Sequence, residues 1–262
     1  MPSPDPLALV DQARRAAVPA DLAARAVPLL DLTSLRGDET PAEIERLCTR
    51  AVRHGTAAVC IYASHLPAAR RLLTGTPVRL VTVANFPHGS DDLGRAADET
   101  AAAVAAGADE VDIVAPIAAV LEGDVGLVGE LVETCRTAAG PGTTLKLILE
   151  TGVLREPDLI TAAARAAVMA GIDFLKTSTG KTEVGATLEA AAVLLSVIQE
   201  AGGRVGFKAA GGIRTSAEAA AYLHLADMLL GPGWVSPKSF RVGASSLLDA
   251  LLTGAGEVPG GY

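Results

Sequence analysis

"TLKLILETGVLREPDLITAAARAAVMAGIDFLKTS" (residues 144–178) decides how the chain folds. It opens on an aliphatic run, "TLKLILE" (144–150), and passes through the alanine-rich "REPDLITAAARAAVMAG". It closes on a second apolar run, "DFLKTS" (173–178). Short apolar runs bounded by turn residues read as buried strands, and the longer segment between them has helical spacing. Two parallel strands need a crossover of this length, which a tight hairpin cannot supply. The stretch therefore predicts one strand–helix–strand unit of a parallel sheet.

The unit repeats in both directions. Towards the N-terminus the strand candidates are "PLLDLT" (28–33), "AAVCIY" (57–62), "RLVTVANF" (79–86) and "EVDIVA" (110–115); towards the C-terminus they are "RVGFKA" (204–209) and "DMLLG" (227–231). Helical stretches such as "TPAEIERLCTRAVRHG", "DDLGRAADETAAAVAAG" and "TLEAAAVLLSVIQEAGG" separate them. Thr40 before Pro41, and Ser216 in "TSAEAAAYL", read as N-caps; Gly55, Gly107, Gly171 and Gly202 read as helix ends. Eight strand-then-helix repeats predict an α/β protein of the closed (β/α)₈ (TIM) barrel type. An open doubly wound sheet is the rival, but it would carry G-x-G-x-x-G after an early strand, and none is present. With no linker or composition break, the expectation is a single domain. It comprises an N-terminal helical cap over 1–27, a barrel over 28–252 and a flexible tail over 253–262.

Composition narrows the function. Half of the 262 residues are hydrophobic but only 3% are aromatic, which suits alanine-faced helices on an aliphatic sheet. A net charge of −8 argues against a nucleic-acid or anionic-membrane surface, so an anionic ligand would need a local positive site. Cys48, Cys60 and Cys135 form no CxxC pair, which points away from disulfides or zinc and towards a reducing, cytoplasmic setting. No signal-peptide core opens the chain, and no uncharged run reaches the roughly 18 apolar residues of a membrane span. His54, His65, His88 and His224 lack ligand spacing, so neither a metal nor a cofactor is expected. Cys60 reads as a small buried hydrophobe.

Parallel barrel strands should be nearly pure apolar runs. Five here carry a charge: Asp31, Asp112, Lys146, Lys176 and Lys208. Any one alone reads as a strand-end residue facing solvent. Five on five strands read differently, because inward positions of a barrel converge on one axis and reactive groups gather at the C-terminal mouth. A buried lysine beside another cation is pushed towards its neutral form, the form that attacks a carbonyl. On this reasoning either Lys176 or Lys208 is a Schiff-base nucleophile, each perturbing the other across adjacent strands, and Asp112 shuttles protons. After strands six to eight, "STGK" (178–181), "AAGGI" (209–213) and "VGASS" (242–246) offer glycine-freed backbone N–H groups, hydroxyls and the Lys181 charge. Together they read as a phosphate pocket.

"LLDLTSL", "NFPHG", "GADEVDIV", "LKLILETG", "FLKTSTGK", "VGFKAAGGIRT" and "FRVGASSLL", in this order over about residues 28–248, resemble deoxyribose-phosphate aldolase. The resemblance implies a metal-free class I aldolase that reversibly cleaves 2-deoxy-D-ribose 5-phosphate to acetaldehyde and D-glyceraldehyde 3-phosphate. It implies that Lys176 forms the Schiff base, that Lys208 perturbs it and that Asp112 belongs to the proton relay. It further implies that Asp31 and Lys146 hold substrate or network. Thr179, Gly180, Lys181, Gly211, Gly212, Gly243, Ser245 and Ser246 would bind the phosphate-bearing substrate, and Tyr262 would assist proton transfer. Its partners would be small aldehydes and sugar phosphates, and a homodimer through outer helices is the family's suggestion. Where the family usually reads "GFKPAGG", Ala209 replaces the proline and should loosen the chain after Lys208. The alternatives are another Schiff-base aldolase, such as a transaldolase or a bisphosphate aldolase, and a catalytically silent sugar-phosphate-binding barrel. The bisphosphate case needs a second anion site, and the silent barrel predicts a disrupted lysine pair.

Overall fold

In a computed structural model of the chain, which describes residues 6–254, eight parallel strands close into a barrel in sequence order, β1 to β8. They are β1 (Leu30–Ser34), β2 (Ala58–Ile61), β3 (Arg79–Ala84), β4 (Glu110–Val114), β5 (Thr144–Ile148), β6 (Phe174–Lys176), β7 (Gly206–Ala210) and β8 (Phe240–Ala244). Two helices, α1 (Pro6–Arg15) and α2 (Leu22–Ala26), precede the barrel. Between successive strands run α3 (Pro41–His54), α4 (Leu66–Leu73) and α5 (Leu93–Ala105). They are followed by α6 (Ile117–Leu121), α7 (Gly126–Ala139), α8 (Thr151–Leu154) and α9 (Pro157–Met169). The last are α10 (Leu188–Glu200), α11 (Ser216–Leu230) and α12 (Leu247–Thr253). The expected tail (253–262) lies mostly, and Tyr262 wholly, outside the described residues.

Local sequence explains the ends of these elements. Thr40 and Glu43 form a reciprocal capping box at the start of α3, with Pro41 in its first turn, and Gly55 ends the helix in a left-handed conformation (φ 69°). At α11 the cap is Thr215, paired with Glu218; Ser216 is the first helical residue, one position past the expected cap. Small residues let neighbours approach at the barrel wall. A Cβ on Gly206 would sit 2.4 Å from the Phe174 ring, so that ring fills the space beside β7.

The eighth strand differs from its expected place. "DMLLG" (227–231) is the last turn of α11 and the glycine that ends it, and β8 lies in "FRVGA" (240–244). A five-residue apolar run does not distinguish a strand from the buried face of a helix. The capping box at Thr215 launches a helix that keeps Tyr222, Leu225, Ala226 and Leu229 buried, and that packing sets the outcome. Val242–Ala244 are consequently strand residues, with Ser245 and Ser246 just beyond the strand end.

The barrel interior has two halves. On the β1–β3 side it is apolar: Leu35, Ala58, Cys60 and Val81 form their own cluster, with Tyr62, Val83 and Phe86 packed on it. On the β4–β8 side the inward positions carry Glu110, Asp112, Lys146, Lys176, Lys208 and Arg241, and Asp31 joins them from β1. The outer faces of the same strands pack on the helices in one continuous hydrophobic core.

Candidate active site

Strand register brings the charged residues together. Asp112 is level with Lys146, Lys176 with Lys208, and Lys208 with Arg241. Asp112 is the hub. Its Oδ1 accepts from Lys146 Nζ at 2.9 Å; its Oδ2 accepts from both Lys176 Nζ at 2.8 Å and Lys208 Nζ at 2.7 Å. Lys208 also reaches Asp31 Oδ2 at 2.5 Å, and Lys146 reaches Glu110 Oε2 at 2.5 Å. Below them Arg241 donates to Asp31 Oδ1 at 2.6 Å and to Glu110 Oε1 at 2.9 Å. Lys146 Nζ and the Arg241 guanidinium lie 5.8 and 5.7 Å from the centre of the Phe174 ring, whose face attracts cations.

All seven charges are buried, none more than 5% exposed. Burial disfavours every charged form, so the ionic partners decide each outcome. Asp112 would be raised by burial, but Lys146, Lys176 and Lys208 outweigh it and hold the carboxyl well below the usual range. Asp31 is held down in the same way by Lys208, Arg241 and Lys146. Lys208 and Lys146 would be lowered by burial, but Lys208 pairs with two carboxylates and Lys146 with three, and each is raised instead. Lys176 differs. Burial lowers it, the Lys208 ammonium lowers it further, and its one carboxylate, shared with Lys208, does not compensate. It is the one lysine of the cluster whose pKa is pushed down rather than up.

Lys176 and Lys208 form the floor of a cleft of about 260 Å³ at the C-terminal mouth. Its walls come from four strand ends: Thr33–Arg36 from the end of β1, Thr179–Lys181 after β6, Ala210–Arg214 from the end of β7, and Gly243–Ser246 from the end of β8. Gly180, Gly211 and Gly212 have φ of 76°, 96° and 89°, conformations that L side chains rarely adopt. The β6 and β7 loops are tied together, because Ala186 N donates to Gly211 O at 2.9 Å and a Cβ on Gly185 would lie 2.3 Å from that oxygen. The Lys181 ammonium crosses to the β1 loop and donates to Leu35 O.

The cleft thus gathers Lys176, Lys208, Thr179, Gly180, Lys181, Gly211, Gly212, Gly243, Ser245 and Ser246. Asp112, Asp31 and Lys146 are not on its walls; they lie beneath, in contact with the two lysines or with each other's partners. Ala209, where the family has proline, is buried in β7, and the next residue is clamped. Ala210 N donates to Thr177 Oγ1, and Thr177 Oγ1 donates to Ala210 O, both at 3.0 Å. Cys60 is buried on the apolar side, where burial pushes its thiol up. Among the described residues no group of His, Cys, Asp or Glu is arranged to hold a metal ion, and no helix is long and apolar enough to cross a membrane.

Five participants escape the sequence reading. Glu110 and Arg241 complete the charge cluster, and Arg36 and Arg214 add cations to the cleft wall. Glu150 adopts a left-handed conformation (φ 49°) and accepts from Thr179 N at 3.2 Å, Thr182 Oγ1 at 3.1 Å and the Thr179 hydroxyl, fixing the β6 loop. Glu110 was findable: it lies two residues from Asp112, on the same face of β4.

A buried lysine pushed below the ordinary lysine range, under a cleft walled by cations and glycine turns at a barrel mouth, accords with the sequence match. The sequence model of the DeoC/LacD family aldolases fits residues 25–251. The chain belongs to that family. Solved structures agree. A provisionally named deoxyribose-phosphate aldolase from Coccidioides immitis superposes with a TM-score of 0.80 at 26% identity, over 95% of this chain and 96% of that one. The apo form of a similarly named protein from Toxoplasma gondii ME49 gives 0.82 at 26% identity, over 89% and 95%. The tetrameric deoxyribose phosphate aldolase of Aeropyrum pernix gives 0.74 at 25% identity, over 95% and 98%. Family membership makes carbon–carbon bond cleavage by an aldolase the relevant chemistry for this cleft.

Proposed function

We propose that the protein is a class I aldolase that reversibly cleaves 2-deoxy-D-ribose 5-phosphate to acetaldehyde and D-glyceraldehyde 3-phosphate, with Lys176 as the Schiff-base lysine. One observation carries the reading. Among the buried lysines of an aldolase-family barrel, Lys176 alone is pushed towards its neutral form, and it opens onto the cleft. The Lys176 Nζ lone pair attacks C1 of the open-chain sugar, and the carbinolamine loses water to give the protonated imine. That cation draws electrons from the C2–C3 bond. The bond breaks as the C3 hydroxyl gives up its proton, releasing glyceraldehyde 3-phosphate and leaving an enamine on Lys176. Protonation at C2 and addition of water then release acetaldehyde and restore the amine.

Asp112, in contact with both Lys176 and Lys208, would pass protons through these steps, with Lys208 as its charged partner. The phosphate would sit against Gly211, Gly212, Ser245 and Ser246, balanced by Lys181, Arg36 and Arg214. The work would be done in the cytoplasm, where the buried, unpaired Cys48, Cys60 and Cys135 stay reduced.

The test is incubation with acetaldehyde and borohydride, followed by peptide mass spectrometry. A reduced two-carbon adduct on Lys176 is expected. Label confined to Lys208 would reverse the roles of the two lysines, and an unmodified protein would sink the mechanism.

A further inference from the structure

The charge cluster does not balance when every group carries its ordinary charge. Lys146, Lys176, Lys208 and Arg241 supply four cations; Asp31, Glu110 and Asp112 supply three anions. The remaining strands add no compensating charge at contact distance. β2 contributes the buried thiol of Cys60, and β3 contributes Arg79, which is half-exposed and 3.7 Å from Glu110. An unbalanced charge among buried groups is disfavoured, and the count of these seven balances when one cation gives up its proton. Arg241 cannot do so within the range in which proteins work. It is also the cation farthest from the chemistry. Neither it nor Glu110 touches the cleft, and both face a separate cavity of about 550 Å³ that also reaches Phe174 and Thr144.

We infer that Arg241, acting with Glu110, is a positioning residue for the imine chemistry: it is the fourth buried cation, and by occupying Asp31 and Glu110 it leaves Lys176 without a carboxylate of its own. The geometry is direct. Arg241 takes Asp31 Oδ1 and both oxygens of Glu110, at 2.6, 2.9 and 3.3 Å. Asp31 Oδ2 goes to Lys208, and Glu110 Oε2 is shared between Arg241 and Lys146. Only the shared Asp112 Oδ2 is left for Lys176. Charge at the N-terminal end of the barrel, where side chains ordinarily serve stability, thereby sets the state of the amine at the opposite mouth.

This inference rests on the imine reading of Lys176, and its test keeps the two apart. The rate of borohydride-trapped adduct formation with acetaldehyde is measured against pH for the native protein, Arg241→Met, Glu110→Gln and the double variant, each checked for folding by circular dichroism. Arg241→Met removes the surplus cation. Lys176 then keeps its proton to higher pH, and the acid limb should move up by about one unit, a roughly tenfold slower reaction below it. Glu110→Gln removes an anion and should move the limb down. The double variant restores the count and should return the limb to its native position. Should Arg241→Met fail to fold, Glu110→Gln and the double variant still carry the comparison. Limbs that stay put, or shift in the same direction in both single variants while the rate merely falls, would overturn the inference and make the pair structural. Absence of any Lys176 adduct in the native protein would instead overturn the aldolase mechanism itself.

Discussion

Replacing Lys208 with leucine should switch off imine formation near neutrality without touching the nucleophile. Lys176 and Lys208 donate to the same oxygen, Asp112 Oδ2, at 2.8 and 2.7 Å, so their nitrogens lie no more than about 5.5 Å apart. At an effective dielectric constant of about 20, two unit charges at that distance repel by about 3 kcal/mol, or roughly two pKa units. The ammonium of Lys208 therefore accounts for a large part of the depression of Lys176, second to burial among the lowering influences. Removing it also gives Lys176 sole possession of that carboxylate oxygen, which acts in the same direction. The neutral amine should fall about a hundredfold at any pH well below the new value, and the acid limb of kcat/KM should move up by about two units. The assay is the pH dependence of deoxyribose 5-phosphate cleavage, with trapping of the imine at each pH. High pH should restore much of the trapping rate. A variant equally impaired at all pH values, with its acid limb unmoved, would refute the electrostatic coupling and assign Lys208 a different task.

Lys176→Met should be inactive yet more stable. The folded-state pKa of Lys176 lies below the unfolded one, so at neutral pH folding must expel a proton or bury it at a penalty. That penalty is absent above the unfolded value near 10.4 and grows as pH falls towards the folded value. The variant should gain about 1 kcal/mol at pH 7, a melting temperature higher by about 2–4 °C, and the gain should vanish above pH 11; calorimetry across that range checks it. Lys181→Ala should lower the preference for phosphorylated over unphosphorylated deoxyribose, measured as a ratio of kcat/KM, by about tenfold or more, since a charge-assisted contact is worth about 1.5–3 kcal/mol. An unchanged ratio would remove Lys181 from phosphate binding. Gly243→Ala places a Cβ 3.1 Å from both Lys208 Cε and Ala210 Cβ. It should cost about 1–3 kcal/mol in urea unfolding and lower kcat by displacing Lys208 from its carboxylates.

The fold was legible where chemistry and periodicity agreed. "TLKLILE" and "DFLKTS" announce buried strands by their aliphatic content and an inward site by their lysines, and β5 and β6 carry both. "DMLLG" failed because five apolar residues fit either element. Only the long-range packing of α11, launched from the cap at Thr215, makes it helical. That misplacement had a chemical consequence: with β8 put at 227–231, no strand position was assigned to Arg241, and the fourth cation went uncounted. Glu110 was visible from its spacing to Asp112 but sits at the first position of its strand, where a charge ordinarily meets solvent. The hold of Glu150 on Thr179 could not be read at all, because it depends on a left-handed backbone at Glu150 and spans two separate loops. Chain spacing carries information about one strand's faces; it says nothing about which loops touch.

A charge count explains why the two halves of the interior belong together. The half around Cys60, Val81 and Val83 supplies no carboxylate to offset a surplus cation, so imbalance on the other half is resolved by moving a proton. A more polar lining would solvate the surplus ammonium and leave Lys176 protonated and inert. Three carboxylates balance three of the four cations, and parallel register decides which cation is left over. Lys208 stands where it reaches two carboxylates and Lys146 three, and Lys176, level with Lys208 but one strand farther from Asp31, reaches one. Moving that surplus to Lys208 would take a second carboxylate for Lys176 as well as the loss of one from Lys208. The identity of the nucleophile is in this sense a property of barrel geometry before it is a property of any single side chain.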